Sequence, residues 1–159
     1  MEIRRAIISD IPDLTRLLVQ VCNTHQDIRP DIFKRDGVKY TPQELEALLS
    51  DDDRPVYCAV ENGTFLGYCF CQWQKFRNSS VMTDRKELYI DDLCVDESAR
   101  GKGVATKLFH YVSDTAKAMG ADFITLNVWQ GNSALNFYEK MGMKPRKIVM
   151  DLPLEDNEC

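Results

Sequence analysis

The stretch from Leu88 to Thr106 constrains this chain more than any other. Leu88-Tyr89-Ile90-Asp91-Asp92-Leu93-Cys94-Val95 has strand length and strand composition, and Asp96-Glu97-Ser98-Ala99 is a short polar link. Arg100-Gly101-Lys102-Gly103 follows, after which the apolar period becomes helical through Val104, Leu108, Tyr111 and Val112 to Met119, with a stop at Gly120. A strand that runs through a short loop into a glycine-opened helix belongs in an α/β layered fold. It also makes an anion cradle. Glycine lets a ligand approach the backbone, the first helical N–H groups have no internal partner, and the macrodipole makes that end positive. A pyrophosphate suits such a site, and Arg100 and Lys102 add cationic charge beside it.

Two common phosphate loops do not fit. A Walker loop needs Gly-x-x-x-x-Gly-Lys-Ser/Thr, and neither glycine has that downstream partner. The dinucleotide fingerprint Gly-x-Gly-x-x-Gly fails because Thr106 stands where the third glycine belongs. Taken alone, Gly-x-Gly beside two cations is more often a plain surface turn.

The rest of the chain supplies the layers. Residues 2–8 read as a strand, and Ser9-Asp10 with Pro12 opens a helix whose Ile11, Leu14, Leu17, Leu18 and Val21 share one face. A polar connection over 23–40 leads to Thr41-Pro42-Gln43-Glu44, a capping box with proline at the first helical position. Val56, Cys58 and Val60 then run into Asn62-Gly63, a hairpin signal, and Phe65 to Phe76 returns. Arg77 to Lys86 reads as a polar loop, Phe123 to Trp129 as a strand, Ser133 to Met141 as a helix, and Lys147 to Leu154 as a last strand. The expected order is β-α-α-β-β-β-α-β-α-β, in one domain over 1–159.

Composition sets the outer bounds. With 159 residues, 44% hydrophobic and 28% charged, the chain can bury a two-layer core. No apolar run is long enough to span a bilayer, and the N-terminus lacks a signal-peptide pattern, so a cytoplasmic protein without membrane partners is expected. A net charge of −5 and no basic run argue against nucleic-acid binding. The cysteines at 22, 58, 69, 71, 94 and 159 form no Cys-x-x-Cys pair, and His25 and His110 lie far apart, so no metal site is expected. Cys94 has no evident partner histidine and reads as a small buried hydrophobe. Trp73, Tyr89 and Trp129 read as core, with one or two lining a cleft.

Arg100-x-x-Gly103-x-Ala105 resembles the Gln/Arg-x-x-Gly-x-Gly/Ala signature of the Gcn5-related N-acetyltransferase (GNAT) superfamily. Leu126-Asn127-Val128-Trp129 and Ala134-Leu135-Asn136-Phe137-Tyr138-Glu139-Lys140-Met141-Gly142-Met143 are similar to its second half. The resemblance covers nearly the whole chain. It implies a mixed, splayed sheet with helices on both faces, acetyl-CoA as cosubstrate and an amine as acceptor. Backbone at Leu93, Cys94 and Val95 would pair with the pantetheine arm, and amides from Arg100 through Gly101, Lys102, Gly103, Val104, Ala105 and Thr106 would hold the pyrophosphate. Asn127, Asn132 and Phe137 would complete the cofactor contacts. Tyr138 would lie near the thioester sulfur as proton donor.

The reaction asks for such groups. An amine with a pKa of ~10 must shed a proton before it attacks, and a thiolate leaving group takes one up. Asp91 and Asp92 are the candidate acceptors; strand alternation puts them on opposite faces, and comparison with diamine acetyltransferases favours Asp91. Asp92 is the alternative, or a cap for backbone groups at the splay. The family often has asparagine where Gly131 stands here, so Asn132 either contacts the cofactor or caps the last helix. Acceptor contacts are expected from the first two helices, the 23–40 connection with His25, Asp27, Arg29 and Phe33, the strand with Trp73, and the 77–86 loop. A noncatalytic acyl-CoA-binding regulatory module is the rival function. Homodimers are common in the family, and Lys147 to Leu154 is the candidate interface.

Overall fold

A computed structural model describes residues 1–154; Cys159 lies outside the described residues. Five strands form one sheet in the order β1 (Glu2–Arg5), β2 (Val56–Glu61), β3 (Thr64–Phe76), β4 (Arg85–Val95) and β5 (Phe123–Leu126). The first three pairings are antiparallel, and β4 and β5 run parallel. The helices are α1 (Ile11–Ile28), α2 (Pro42–Leu49), α3 (Val104–Ala118) and α4 (Ala134–Lys140). None of them is long and apolar enough to cross a membrane.

The two sheet faces carry separate cores. Leu14, Leu17 and Leu18 of α1 and Leu45 and Leu48 of α2 pack on Val56, Cys58, Phe65, Tyr68, Phe70 and Cys94. Val104, Leu108, Phe109, Val112 and Ala116 of α3, with Tyr138 of α4, pack on Tyr57, Ala59, Cys69, Cys71, Leu88 and Ile90. Strand alternation sends successive side chains of β2 to opposite cores. Each fully buried leucine contributes about 1.5–3 kcal/mol of transfer free energy.

Local chemistry explains most boundaries. Thr41 Oγ1 accepts from the Glu44 amide at 3.2 Å while Glu44 Oε2 accepts from the Thr41 amide at 2.7 Å, which starts α2 as expected. Asn62 and Gly63 have φ of 50° and 78°, the left-handed pair that a tight hairpin needs. Asp10, by contrast, does not cap α1. Its carboxylate accepts from the Ile7 amide at 2.8 Å and from both terminal nitrogens of Arg4 at 2.7 and 3.0 Å.

Four expectations change. The first helix extends through Ile28, because Val21, His25 and Ile28 continue its inward face past the polar residues at 23, 24 and 26. The strand at 123 ends at Leu126, short of Trp129. Residues 147–154 join no helix or strand, and Ile148, Val149, Met150, Leu152 and Leu154 are 79–88% exposed. Among the described residues, their apolar alternation has no ladder to complete. Closer in, Arg85 and Lys86, expected in a loop, belong to β4. There Glu87 is buried against Arg85 at 2.7 Å and Arg146 at 2.8 Å.

Candidate active site

The opening in the sheet arises from unequal strand lengths. β5 pairs with β4 only from Glu87↔Phe123 to Ile90↔Leu126, while β4 continues to Val95. Residues 91–95 therefore have β3 on one side and no strand on the other. A β-bulge sits at the start of this open segment: Phe70 pairs with Asp92 and Cys71 with Ile90, leaving Asp91 as the extra residue. Leu88, Ile90, Leu93 and Val95 all meet the α3 core, whereas Cys94 meets the α1 core. The bulge thus shifts the alternation by one residue between 90 and 93.

That shift overturns the expectation of aspartates on opposite faces. Asp92 accepts a hydrogen bond from the Tyr68 hydroxyl at 2.9 Å, and Tyr68 is wholly buried on the α1 side. Asp91 accepts from Lys39 Nζ at 2.7 Å, and the charge of Lys39 reaches Asp92 as well. Both carboxylates face the α1–α2 connection. Burial pushes Asp92 up to about 6; Lys39 and Tyr68 pull against that, and Asp91 adds to it. For Lys39, burial works to lower the pKa, but the hydrogen bond and charge of Asp91 prevail and raise it.

Tyr138 comes from the far side of the opening, in α4. It is buried among Phe109 and Phe137, with ring centroids at 6.4 and 5.2 Å. Burial, with smaller contributions from Cys69, Asp92 and Cys94, lifts its pKa well above the phenol range. A phenol so placed is a neutral proton donor at any ordinary pH.

The glycine-opened helix lies beyond Val95. Asp96 holds the intervening turn: its carboxylate accepts from the Ser98 amide at 2.9 Å and hydroxyl at 2.6 Å, and pairs with Arg16 of α1. Ser98 and Arg16 together pull Asp96 down to about 2. Gly101 and Gly103 both have φ of 76°, and a β-carbon on either would meet open space, not protein. The first helix bond, from Lys107 N–H to the Gly103 carbonyl at 3.0 Å, leaves the amides of Val104, Ala105 and Thr106 unpaired within α3. No acidic residue occupies that first turn. Gly103, Lys102 and Arg100 are exposed around it. These are the features a pyrophosphate requires.

Other candidates fall into place around this frame. Cys94 points to α1, with Sγ 3.6 Å from the Leu17 carbonyl, and burial pushes its thiol up to about 12. A thiol held neutral there is no nucleophile. Gln20 donates to the Val95 carbonyl at 3.0 Å, so that carbonyl is engaged by α1. Asn132 Oδ1 accepts from the Ala134 amide at 2.9 Å from one residue before the N-cap of α4, which is Ser133 and not Asn132. Asn127 Nδ2 donates to the Tyr89 hydroxyl at 3.2 Å, at the end of β5. Phe137 packs on the α3 core and is half-buried. Trp129 stands edge-on to Phe33 at 5.1 Å, and Phe33 contacts His25 at the same distance. Trp73 instead packs against the α3 core beneath Lys86, so it does not join the connection. His110 is exposed on α3. Among the described residues, no group of three or more His, Cys, Asp or Glu side chains is arranged to hold a metal. Tyr68 and Lys39 were not singled out by the sequence; nothing local marks either.

A mixed sheet that splays beside an anion-receiving helix start defines an acyl-donor site of the acetyltransferase type. Residues 18–143 match the Acetyltransferase (GNAT) family, and the chain belongs to it. The crystal structure of a mutant BH1408 protein from Bacillus halodurans superposes with a TM-score of 0.93 at 32% identity, covering 98% of this chain and 100% of that one. Glucosamine 6-phosphate N-acetyltransferase of Arabidopsis thaliana is 30% identical over 115 residues, 68% of this chain and 71% of the plant protein. N-alpha-acetyltransferase 30 of Schizosaccharomyces pombe is 32% identical over 87 residues, 54% of this chain. The match spans about half the length of that yeast relative, 55%.

Proposed function

We propose that this protein transfers an acetyl group from acetyl-CoA directly to an amine. The observation that carries the reading is the open edge of β4 beside a helix start with free amides, where the buried Tyr138 phenol lies near enough to Asp92 to feel its charge. Val104, Ala105 and Thr106 amides with Arg100 and Lys102 would hold the pyrophosphate, and backbone at 93–95 would line the pantetheine arm. The thioester supplies the acetyl group. Asp92 is ionised at neutral pH yet basic enough to take the acceptor's proton, directly or through a water. Tyr138 gives its proton to the departing sulfur. This arrangement favours Asp92 over Asp91 as the base. Two relatives are named for N-alpha-acetylation and for glucosamine 6-phosphate N-acetylation, and both names specify a nitrogen acceptor.

The test is thiol release from acetyl-CoA by purified protein across a panel of primary amines. Tyr138→Phe should lower kcat ~10²-fold, as expected for a lost general acid. An unchanged rate in folded mutant would remove Tyr138 from that role. Tight CoA binding with no thiol release on any amine would favour the regulatory module instead.

Two further attributes belong to this reading. Among the described residues, Cys22, Cys58, Cys69, Cys71 and Cys94 are free, which supports a reducing, cytoplasmic setting. The exposed apolar side chains over 148–154 support a homodimer that covers them, which light scattering on the full chain will detect.

A further inference from the structure

Lys39 reaches Asp91 from 52 residues away in sequence. It lies in the connection between Ile28 and Pro42, which has neither helix nor strand. Two anchors hold that connection. On one side, Asn23 Nδ2 donates to Asp36 Oδ1 at 2.9 Å and the Asp36 amide donates to Asn23 Oδ1 at 2.7 Å. On the other, the Tyr40 ring stacks on Phe70 at 5.9 Å. Between them the Lys39 side chain extends to the bulge and places a primary ammonium 2.7 Å from Asp91 Oδ2.

The contact is easily exchanged. The two side chains are 41% and 31% exposed, and an ion pair so open to water biases an equilibrium by no more than about fivefold. Removing the ammonium without replacement would leave Asp91 and Asp92 adjacent and uncompensated. A second ammonium restores the balance, whereas a neutral or anionic group does not.

We propose that Lys39 is a tethered stand-in for the acceptor: its ammonium fills the place on Asp91 that the acceptor's ammonium takes, and the acceptor displaces it. The inference rests on the acetyl-transfer reading and narrows its acceptor class. The acceptor arrives protonated, on an unhindered alkyl arm like the lysine side chain it replaces. Asp91 anchors the ammonium, and Asp92 then receives one of its protons. The nitrogen forms its bond to the acetyl carbon as the carbon–sulfur bond breaks, the sulfur takes the Tyr138 proton, and the second proton the nitrogen sheds on becoming an amide restores the phenol.

Steady-state kinetics at about pH 8, where Asp92 is ionised, test the idea with Lys39→Met and Lys39→Arg. Methionine keeps the apolar stem and removes the charge; arginine keeps the charge. Lys39→Met should lower the KM of the best amine about threefold, within the range of an exposed ion pair, with the KM of acetyl-CoA unchanged. Lys39→Arg should hold the acceptor KM near the wild-type value. An acceptor KM that is unchanged or raised in Lys39→Met overturns the proposal. Displacement is read directly by NMR on CoA-saturated wild-type protein, with n-butylammonium chloride as the probe. The Lys39 side-chain signal, assigned by its loss in Lys39→Met, should move toward that of a solvated lysine as the probe saturates. A signal unmoved at saturation also overturns the stand-in. If no amine supports thiol release, the transfer reading fails by itself, and the NMR titration still decides the occupancy of Asp91.

Discussion

Replacing Asp92 by asparagine separates what this residue does for chemistry from what it costs the fold. The side-chain shape is kept, and the amide oxygen can still accept from the Tyr68 hydroxyl. In the wild type, burial raises the carboxyl from 3.8 to about 6. The folded state therefore favours the protonated acid: there is no penalty below the unfolded value, a growing one as pH rises through this interval, and the full penalty above about 6. A displacement of this size corresponds to about 3 kcal/mol as a ceiling, and relaxation and water entry reduce it to about 1–3 kcal/mol. Asparagine cannot ionise and escapes the penalty. For a domain of this length about 2 kcal/mol is worth roughly 4–8 °C in Tm, so Asp92→Asn should melt that much higher than wild type at pH 8. The gap should shrink to a small remainder by pH 4, near the unfolded value, where the folded carboxyl is protonated and the unfolded one about half so. Thermal unfolding followed by circular dichroism at pH 4, 6 and 8 gives both curves, and thiol release at pH 8 should fall at least ~10²-fold in the same variant. A Tm gap independent of pH, or a mutant less stable than wild type at pH 8, would refute the account of a carboxylate held against its solvation.

Other perturbations probe neighbouring parts. Tyr68→Phe removes the donor to Asp92, and a hydrogen bond worth about 1 kcal/mol should move the acid limb of the kcat/KM profile up by about 0.7 of a pH unit; an unmoved limb would release Tyr68 from positioning the base. Gly103→Ala forces a β-carbon into a left-handed backbone at a cost of about 1–2 kcal/mol, and calorimetric titration should show CoA binding roughly tenfold weaker. Glu87→Ala leaves the Arg85 and Arg146 guanidinium groups without their buried partner and should cost about 3 kcal/mol in urea unfolding. Burial works to raise the Glu87 pKa, but both arginines prevail and hold it down, so this contribution is present at neutral pH and fades as the solution is acidified through the carboxylate range.

Periodicity revealed the layers because each helix buries one stripe and β2 alternates strictly between two cores. The glycine-opened helix start was legible through its neighbours, since Gly101 and Gly103 alone read as a surface turn and the strand before them gave the pair its context. The acceptor half was not. An added residue at Asp91 leaves the pattern Leu88, Ile90, Asp92 looking regular, and only the partner strand shows which residue is unpaired. Lys39 is one cation among many until the connection folds back over β4. Tyr68 looks like any apolar strand residue, because its hydroxyl has meaning only opposite Asp92. The early end of β5 depends on chain geometry after Leu126 that apolar content does not encode, and Lys147 to Leu154 was strand-like in pattern without a neighbour to pair with among the described residues.

The bulge at Asp91 lets β4 carry one residue more than its partner strand without turning over the side chains that follow. Asp91 itself touches solvent, and another polar side chain would fit there. Deleting it would join Ile90 to Asp92 opposite Cys71 and Phe70, and plain alternation would then keep Leu93 and Val95 in the α3 core and Cys94 in the α1 core. One missing codon would thus remove the carboxylate that meets Lys39 and leave the faces of the strand as they are. Directed evolution of acceptor preference can vary the side chain at 91 freely, provided that the register of β4 is kept.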